Sequence, residues 1–347
     1  MHECRNPLHC VVPPYVVDRL ALSPDAQIRR RAMELSAEGA AARAVRVTLA
    51  GLPRMAAIPS PAAAKHRQVY DLQNQGMNAL PGKLARSEGG PASGDPAVNE
   101  AYNHSGTVYD FYKKVLGRNS LDDNGMALLS SVHFRSNHNN AYWNGEQMIY
   151  GDGDGQIFVR FTKALDVVGH ELSHGVVTHT CNLVYQDEPG ALNEHFADVF
   201  GVLVEQWKKK KSAKNGNWLV GEAIMGPGVS AKALRSFKDE KAYEDDPLLG
   251  TDPQPKHYSN RYKGSDDYGG VHINSGIPNH AFYVAAQALG GNAWGKAGAV
   301  WYKTLSRLKA TSSFEDMVRE TIGAAADLYG ASVANEIKKA WKTVGLY

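Results

Sequence analysis

Residues 166–175 read DVVGHELSHG, and within them His170, Glu171 and His174 interrupt an apolar run of helical spacing. Positions four apart on a helix share one face, so His170 and His174 point the same way. Two neutral imidazoles converging like this supply half of a tetrahedral zinc site. Glu171 follows the first histidine and projects beside the metal, where a base for its water should stand. Downstream, residues 190–207 read GALNEHFADVFGVLVEQW, and nineteen residues separate His174 from Glu194. That length lets one helix end, a loop turn, and a second helix bring a carboxylate to the same ion. Asp198, one turn beyond Glu194, can accept a hydrogen bond from the far nitrogen of a ligand imidazole and fix its tautomer. Two histidines and one glutamate leave a fourth position open, the pattern of a catalytic rather than a structural zinc.

A third cluster, SDDYGGVHINSG (265–276), sets His272 in a glycine-rich loop just before a helix, with Asp267 close enough to orient it. His195 adjoins Glu194, but neighbouring helix positions diverge, so it is not expected as a further ligand. The three cysteines are too few and scattered for a disulfide framework. Cys4 and Cys10 could pair locally, and Cys181 reads as a small buried apolar residue.

These groups need elements to hold them. A chain of 347 residues exceeds one compact core, which suggests two lobes and an accessory segment. Its 43% hydrophobic and 21% charged residues are those of a globular protein. A net charge of +2 argues neither for a nucleic-acid binder nor for an acidic tail, no nucleic-acid partner is expected, and Lys208–Lys211 reads as a solvated helix end. No stretch reaches the ~18 apolar residues of a membrane span. The N-terminal MHECRNPLHCVVPPYVV lacks a basic region followed by an apolar core, so no Sec signal peptide is expected, and the chain reads as cytoplasmic or secreted by a non-classical route.

Residues 1–64 stand apart. VVPPYVVDRL opens on a rigid Pro-Pro turn; Ser23 is the expected cap of a helix over 25–46; PRMAAIPSPAAAKH (53–66) is an exposed linker of the kind proteases cut. Beyond it the spacing predicts a helix from Asp95-Pro96 to near Gly117 and strands across 126–150. GDGDG (151–155) lacks the strand–glycine-loop–helix context of a nucleotide site and reads as a turn. Helical periodicity covers 163–180, 190–210, 275–290, 293–309, 313–328 and 331–344. The expectation is an α+β chain with a strand-rich N-terminal lobe (65–180) that includes the zinc helix, and a helical C-terminal lobe (181–347).

Together HELSH, GALNEHFAD, AVNEAY, YDFYKKVLGRNSLDDNGM, NNAYWNGEQMIYGDGDG, LVYQDEPGALNE and GGVHINSGIPNHAFY resemble the thermolysin family of zinc metallopeptidases, from about Arg67 to Tyr347. Pro13, Pro14 and Tyr15 resemble the motif of the short propeptides in its protealysin-like members. The resemblance implies a two-lobed fold with the cleft and zinc helix between the lobes. It implies one zinc on His170, His174 and Glu194, with Glu171 as general base and proton shuttle. Tyr185 and His272 would stabilise the oxyanion, Asp267 holding His272. Asn140 and the Ala141 backbone would bind the substrate main chain as an added strand, and Arg235 would grip the carbonyl next to the cut. Phe158, Phe161, Val167 and Leu234 would line the pocket for the residue after the scissile bond.

The activity implied is a neutral endopeptidase acting on polypeptides before bulky apolar residues, an export favoured by the family, and a propeptide that inhibits its own chain until (auto)proteolysis. One calcium is implied at Asp166, Glu205, Asn217, the Leu219 backbone and Glu222. Asn217 and Leu219 stand where two-calcium members carry acidic residues. Tyr268 replaces a common Asn, which would reshape the cleft rim. Within the N-terminal segment, a thiolate of Cys4 or Cys10 could reach the zinc, and self-cleavage is expected within 52–66. The competing classes are an inactive zinc-binding interaction protein and a metallohydrolase of non-peptide substrates.

Overall fold

A computed structural model describes residues 9–49 and 64–347, with residue 9 and residues 38–49 as backbone only. Cys4 and most of the 52–66 linker lie outside the described residues. In chain order the elements are β1 (His9–Cys10), α1 (Pro14–Leu20), α2 (Ala26–Leu49), β2 (Arg67–Asp71), β3 (Lys83–Ser87), α3 (Pro96–Val115), β4 (Leu128–Val132), β5 (Ala141–Trp143), β6 (Met148–Tyr150), α4 (Leu165–Thr178), α5 (Asp187–Lys208), β7 (Leu219–Val220), β8 (Arg235–Ser236), α6 (Asp266–Asn274), α7 (Gly276–Leu289), α8 (Lys296–Leu305), α9 (Phe314–Tyr329) and α10 (Ala331–Thr343). The class is α+β: a mixed sheet precedes a helical C-terminal domain, as the sequence indicates.

The six-stranded sheet has the order β1-β5-β6-β4-β2-β3. Parallel pairing joins β2, β4 and β6, while β5 runs antiparallel to β6. The N-terminal strand β1 adds antiparallel to the other side of β5, with His9 opposite Trp143 and Cys10 opposite Tyr142. Asp95 caps α3 by accepting the Ala97 amide at 2.8 Å, and Pro96 occupies the first helical position, where a missing N–H does no harm.

Two local expectations change. Ser23 does not cap α2. Asp25 does, accepting the Gln27 and Ile28 amides, because the side chain directly before the first turn reaches its orphan donors. The Pro-Pro turn is followed by a short helix, α1, whose Pro14 sits at the helix start and whose Val16, Val17 and Leu20 are buried.

Helices α4 and α5 carry the first two clusters, and their crossing fixes the geometry. A Cβ on Gly201 would stand 2.5 Å from the Asp166 carbonyl oxygen and 3.0 Å from the His170 nitrogen. One on Gly169 would stand 3.0 Å from the Gly201 Cα. The two backbones therefore touch where only glycine fits, which draws the glutamate of α5 toward the histidines of α4. Every residue of α4 from Leu165 to Val177 is buried.

Candidate active site

His170 and His174 lie one turn apart on α4, with their Nε2 atoms 3.1 Å from each other. Glu194 on α5 approaches from the other side, Oε2 3.5 Å from His170 Nε2 and Oε1 3.4 Å from His174 Nε2. All three are fully buried, and they form the sole group of potential metal ligands converging on one point among the described residues. Glu194 Oε2 has no hydrogen-bond partner. A buried carboxylate whose two oxygens face one imidazole nitrogen each is unfavourable unless a cation satisfies them together. Two nitrogens and a carboxylate are the donor set that zinc takes, and the residues fit it.

The far sides of the ligands are also held. His174 Nδ1 pairs with Asn193 Oδ1 at 2.9 Å, which puts the proton on Nδ1 and leaves Nε2 free for a metal. His170 Nδ1 lies 2.8 Å from Asp198 Oδ1. Asp198 also accepts from Arg235 Nε at 2.9 Å and Nη2 at 2.8 Å, and from Asn279 Nδ2 at 2.9 Å. Burial works against its charge, but Arg235 and His170 outweigh it and hold the carboxyl well below its ordinary range. His195 turns away from the ligand group. Trp301 Nε1 donates to His195 Nε2 at 2.7 Å, so the proton of His195 sits on Nδ1, which donates to Asn279 Oδ1 at 2.7 Å. Burial pushes the His195 pKa down to about 4, which keeps the ring neutral. The result is a one-way chain of donors from Trp301 through His195 and Asn279 to Asp198.

Glu171 accepts the Trp143 amide at Oε2, 3.0 Å away, while its Oε1 is buried without a partner. Burial first, and the charge of Glu194 second, raise its pKa well above the carboxylate range. Tyr185 donates to Glu194 Oε1 and lies 3.1 Å from His272 Nε2. Asp267 grips His272 twice, at Nδ1 (2.6 Å) and at the backbone amide (2.8 Å). Burial opposes a charge on His272, but Glu194 and Asp267 overcome it and raise the pKa to about 9. The loop that places this pair is unusual: Asp267, Tyr268, Gly269 and Gly270 all hold left-handed dihedrals, with φ between 51° and 82°. The expected glycine-rich loop is therefore a left-handed run that closes directly into a helical turn. Tyr268 packs against Tyr185, ring centroids 5.7 Å apart, at the rim of the site.

The cleft side is engaged by the chain's own N-terminal segment. Val12 donates its amide to Asn140 Oδ1 at 3.1 Å, and Asn140 Nδ2 faces the Val12 carbonyl at 3.4 Å. Arg235 Nη1 donates to the Val11 carbonyl at 3.0 Å, and His272 Nε2 lies 3.3 Å from the Cys10 carbonyl. Ala141 begins β5, the strand that β1 joins. Val11 is buried in the same apolar cluster as Phe158, Phe161, Val167 and Leu234. Pro13 precedes α1, Pro14 begins it, and the half-buried Tyr15 points a buried hydroxyl inward, with Tyr243, Asp252 and Arg235 close enough to act on it. The part of Cys10 that faces His272 is its carbonyl oxygen, and its sulfur is not a member of the converging ligand group.

The residues expected to hold calcium are neighbours, joined by hydrogen bonds to one another and to Lys209. Asp166 Oδ2 accepts the Gly221 amide at 2.6 Å, Asn217 Nδ2 donates to Glu222 Oε2 at 2.9 Å, and Asn217 Oδ1 accepts the Leu219 amide at 3.1 Å. Lys209 donates to Glu205 Oε1 at 2.6 Å, while Glu205 Oε2 is left without a partner. Burial and then Glu205 raise the Asp166 pKa to about 7.

The sequence reading misses Asn193, Trp143, Asn279 and Trp301. Asn193 alone had a signal, its place directly before Glu194. The others meet the site across long separations that no local pattern encodes.

Comparison with known proteins agrees with this geometry. Residues 61–178 match the catalytic domain of thermolysin metallopeptidases, and residues 181–346 match their alpha-helical domain. An extracellular metalloprotease of Pectobacterium carotovorum is 42% identical over 98% of this chain and 97% of its own length. A thermolysin of Alicyclobacillus acidocaldarius is 44% identical over 80% of this chain and 50% of its own. The solved precursor of protealysin from Serratia proteamaculans, 42% identical, superposes with a TM-score of 0.88 over 98% of this chain and all of that one. Fold and site thus define a metallopeptidase of the two-histidine, one-glutamate kind. The chain belongs to the thermolysin family of metallopeptidases. It is a metalloendopeptidase, its substrates are polypeptides, and family membership implies zinc. No helix among the described residues is long and apolar enough to cross a membrane.

Proposed function

We propose that this chain is the precursor of an exported, zinc-dependent neutral endopeptidase that cuts before bulky apolar residues and is kept latent by residues 1–64, with lobes 65–180 and 181–347 forming the enzyme. The observation that supports it best is the convergence of three buried ligand atoms, with a peptide backbone held by Arg235 and Asn140 in the same site.

His170, His174 and Glu194 hold the zinc, which when bound supplies Lewis-acid activation of water and of the peptide carbonyl. Glu171 takes the proton of the attacking water and gives it to the leaving amine. Tyr185 and His272 donate to the developing oxyanion, each such donor being worth ~3 kcal/mol. Asp267, 2.6 Å from Nδ1, supports the charged form of His272 that this donation needs. Asn140 and Arg235 fix the backbone on either side of the residue after the cut. The apolar walls of Phe158, Phe161, Val167 and Leu234 select for bulk there, by roughly 1–3 kcal/mol per methylene.

The N-terminal segment uses the groups a substrate would use, and this supports its role as an intramolecular inhibitor. Self-cleavage in the 52–66 linker would release it. The calcium site we read as a single weak one, since an ion must displace the Lys209 ammonium from Glu205.

The test is hydrolysis of casein by the trimmed protein with zinc. Glu171→Gln should lower kcat by about 10²–10⁴-fold, retain one zinc, and leave the chain untrimmed. Full activity in that variant, or no hydrolysis by the trimmed parent, would overturn the reading.

A further inference from the structure

The N-terminal segment lies in the cleft with a definite polarity and register, and these single out one peptide bond. β1 runs antiparallel to β5, and four successive contacts follow along the segment. The Cys10 carbonyl faces His272 Nε2 at 3.3 Å. The Val11 amide lies against the Glu171 carboxylate. The Val11 carbonyl accepts from Arg235 at 3.0 Å, and Val12 meets Asn140 through both its amide and its carbonyl. Hydrolysis asks for this arrangement: the carbonyl to be attacked toward the oxyanion donors, the leaving nitrogen toward the proton shuttle, and an apolar side chain buried after the cut. Val11 is that side chain, fully buried.

We propose that the Cys10–Val11 peptide bond is itself a processing site, cut within the intact chain by its own active site and distinct from release at the linker. The inference rests on the proposed roles of Glu171 and the zinc ligands. One water is consumed. Its oxygen bonds to the Cys10 carbonyl carbon, the bond to the Val11 nitrogen breaks, and Glu171 moves the water's proton to that nitrogen. The products are a Cys10 carboxylate and a new amino terminus at Val11.

The cut does not free the cleft. Val11 and Val12 keep their hydrogen bonds to Arg235 and Asn140, and Val16, Val17 and Leu20 of α1 stay buried in the common core. The nicked chain is therefore a product complex, still blocked on the side of the cleft beyond the cut, and only the second cleavage in the linker activates it. Activation becomes an ordered two-cut sequence.

The experiment follows the intact mass of full-length protein, purified with chelator and then given one equivalent of zinc. The expected result is a species beginning at Val11 together with free peptide 1–10, formed at a rate independent of protein concentration and absent from Glu171→Ala. A synthetic peptide of residues 1–15, offered to the self-trimmed protein, should be cut between Cys10 and Val11. In a readout that needs no turnover, labelled HCVVPPY should bind the metal-free trimmed protein, and Val11→Asp in that peptide should weaken binding by about tenfold or more. If trimmed protein digests casein while the Cys10–Val11 bond survives in both chain and peptide, or if both peptides bind equally, the proposed register is wrong. If casein too resists, the failure lies in the active-site reading itself.

Discussion

His195 shows how far the support of a metal ligand can extend beyond the groups that touch it. Its two ring nitrogens are committed, one accepting from Trp301 and one donating to Asn279, so the orientation of the Asn279 amide toward Asp198 follows from the chemistry of the indole. His195→Ala leaves the Trp301 N–H and the Asn279 carbonyl oxygen buried without partners, and each such group costs about 1–3 kcal/mol. We expect a stability loss of about 2–4 kcal/mol by chemical denaturation. Zinc affinity, read by chelator competition, should also fall by up to about tenfold, the low end for partners of a ligand histidine. His195→Asn, which keeps a donor for Asn279, should restore much of the zinc affinity without the full stability. Lost stability with unchanged affinity would reduce the chain of donors to packing. At this scale the sequence displayed the ligands through their spacing on two helices. It could not display Asn279 or Trp301, which reach His195 across 84 and 106 positions.

Among elements, the helices of the C-terminal part follow their periodicity closely, and β4, β5 and β6 fall within the alternation of 126–150, while β1 does not announce itself. β1 holds two residues, too few for an alternating pattern to show. The left-handed run at 267–270 was equally hidden, because Asp267 and Tyr268 adopt a backbone that sequence assigns to glycine. The crossing of α4 and α5 carries its own prediction. Gly201→Ala places a methyl against the Asp166 carbonyl and the His170 amide nitrogen, and overpacking of that kind costs about 1–3 kcal/mol. Because the strain falls where the ligand helices meet, metal content after dialysis should drop with it; a destabilised variant that keeps a full zinc would show the crossing to be uninvolved in the site.

A second element-scale prediction concerns His133, which ties the cap of α3 to the loop after β6. Its ring meets Asp152 at 2.7 Å and Asp95 at 2.6 Å, and these partners, Asp152 first, raise its pKa to about 9 against the effect of burial. Arg160 is the nearby cation, acting on both carboxylates. A raised folded-state pKa stabilises fully below the unfolded value of ~6.5 and is lost as pH climbs through about 9. Melting temperatures of the Glu171→Gln protein should therefore decline over that window. His133→Gln should flatten the decline, and equal slopes in the two proteins would remove His133 as its cause.

For the whole molecule, the two domains and the segment across their cleft share one continuous core, so the chain should melt as a unit while the segment is attached. Calcium bears on the same scale. Millimolar Ca²⁺ should raise the melting temperature modestly, and Lys209→Ala should enlarge the rise by vacating Glu205; no shift in either protein would mean that Lys209 had stood over no cation site. The placement of β1 has one more consequence. It occupies the outermost place in the sheet, so its departure uncovers the backbone donors and acceptors along one side of β5. A freshly matured molecule thus presents a bare pairing edge, receptive to any extended polypeptide, including a loosened stretch of a sister molecule. Concentrated mature enzyme should consume itself unless a short unhydrolysed strand is supplied to sit in the gap.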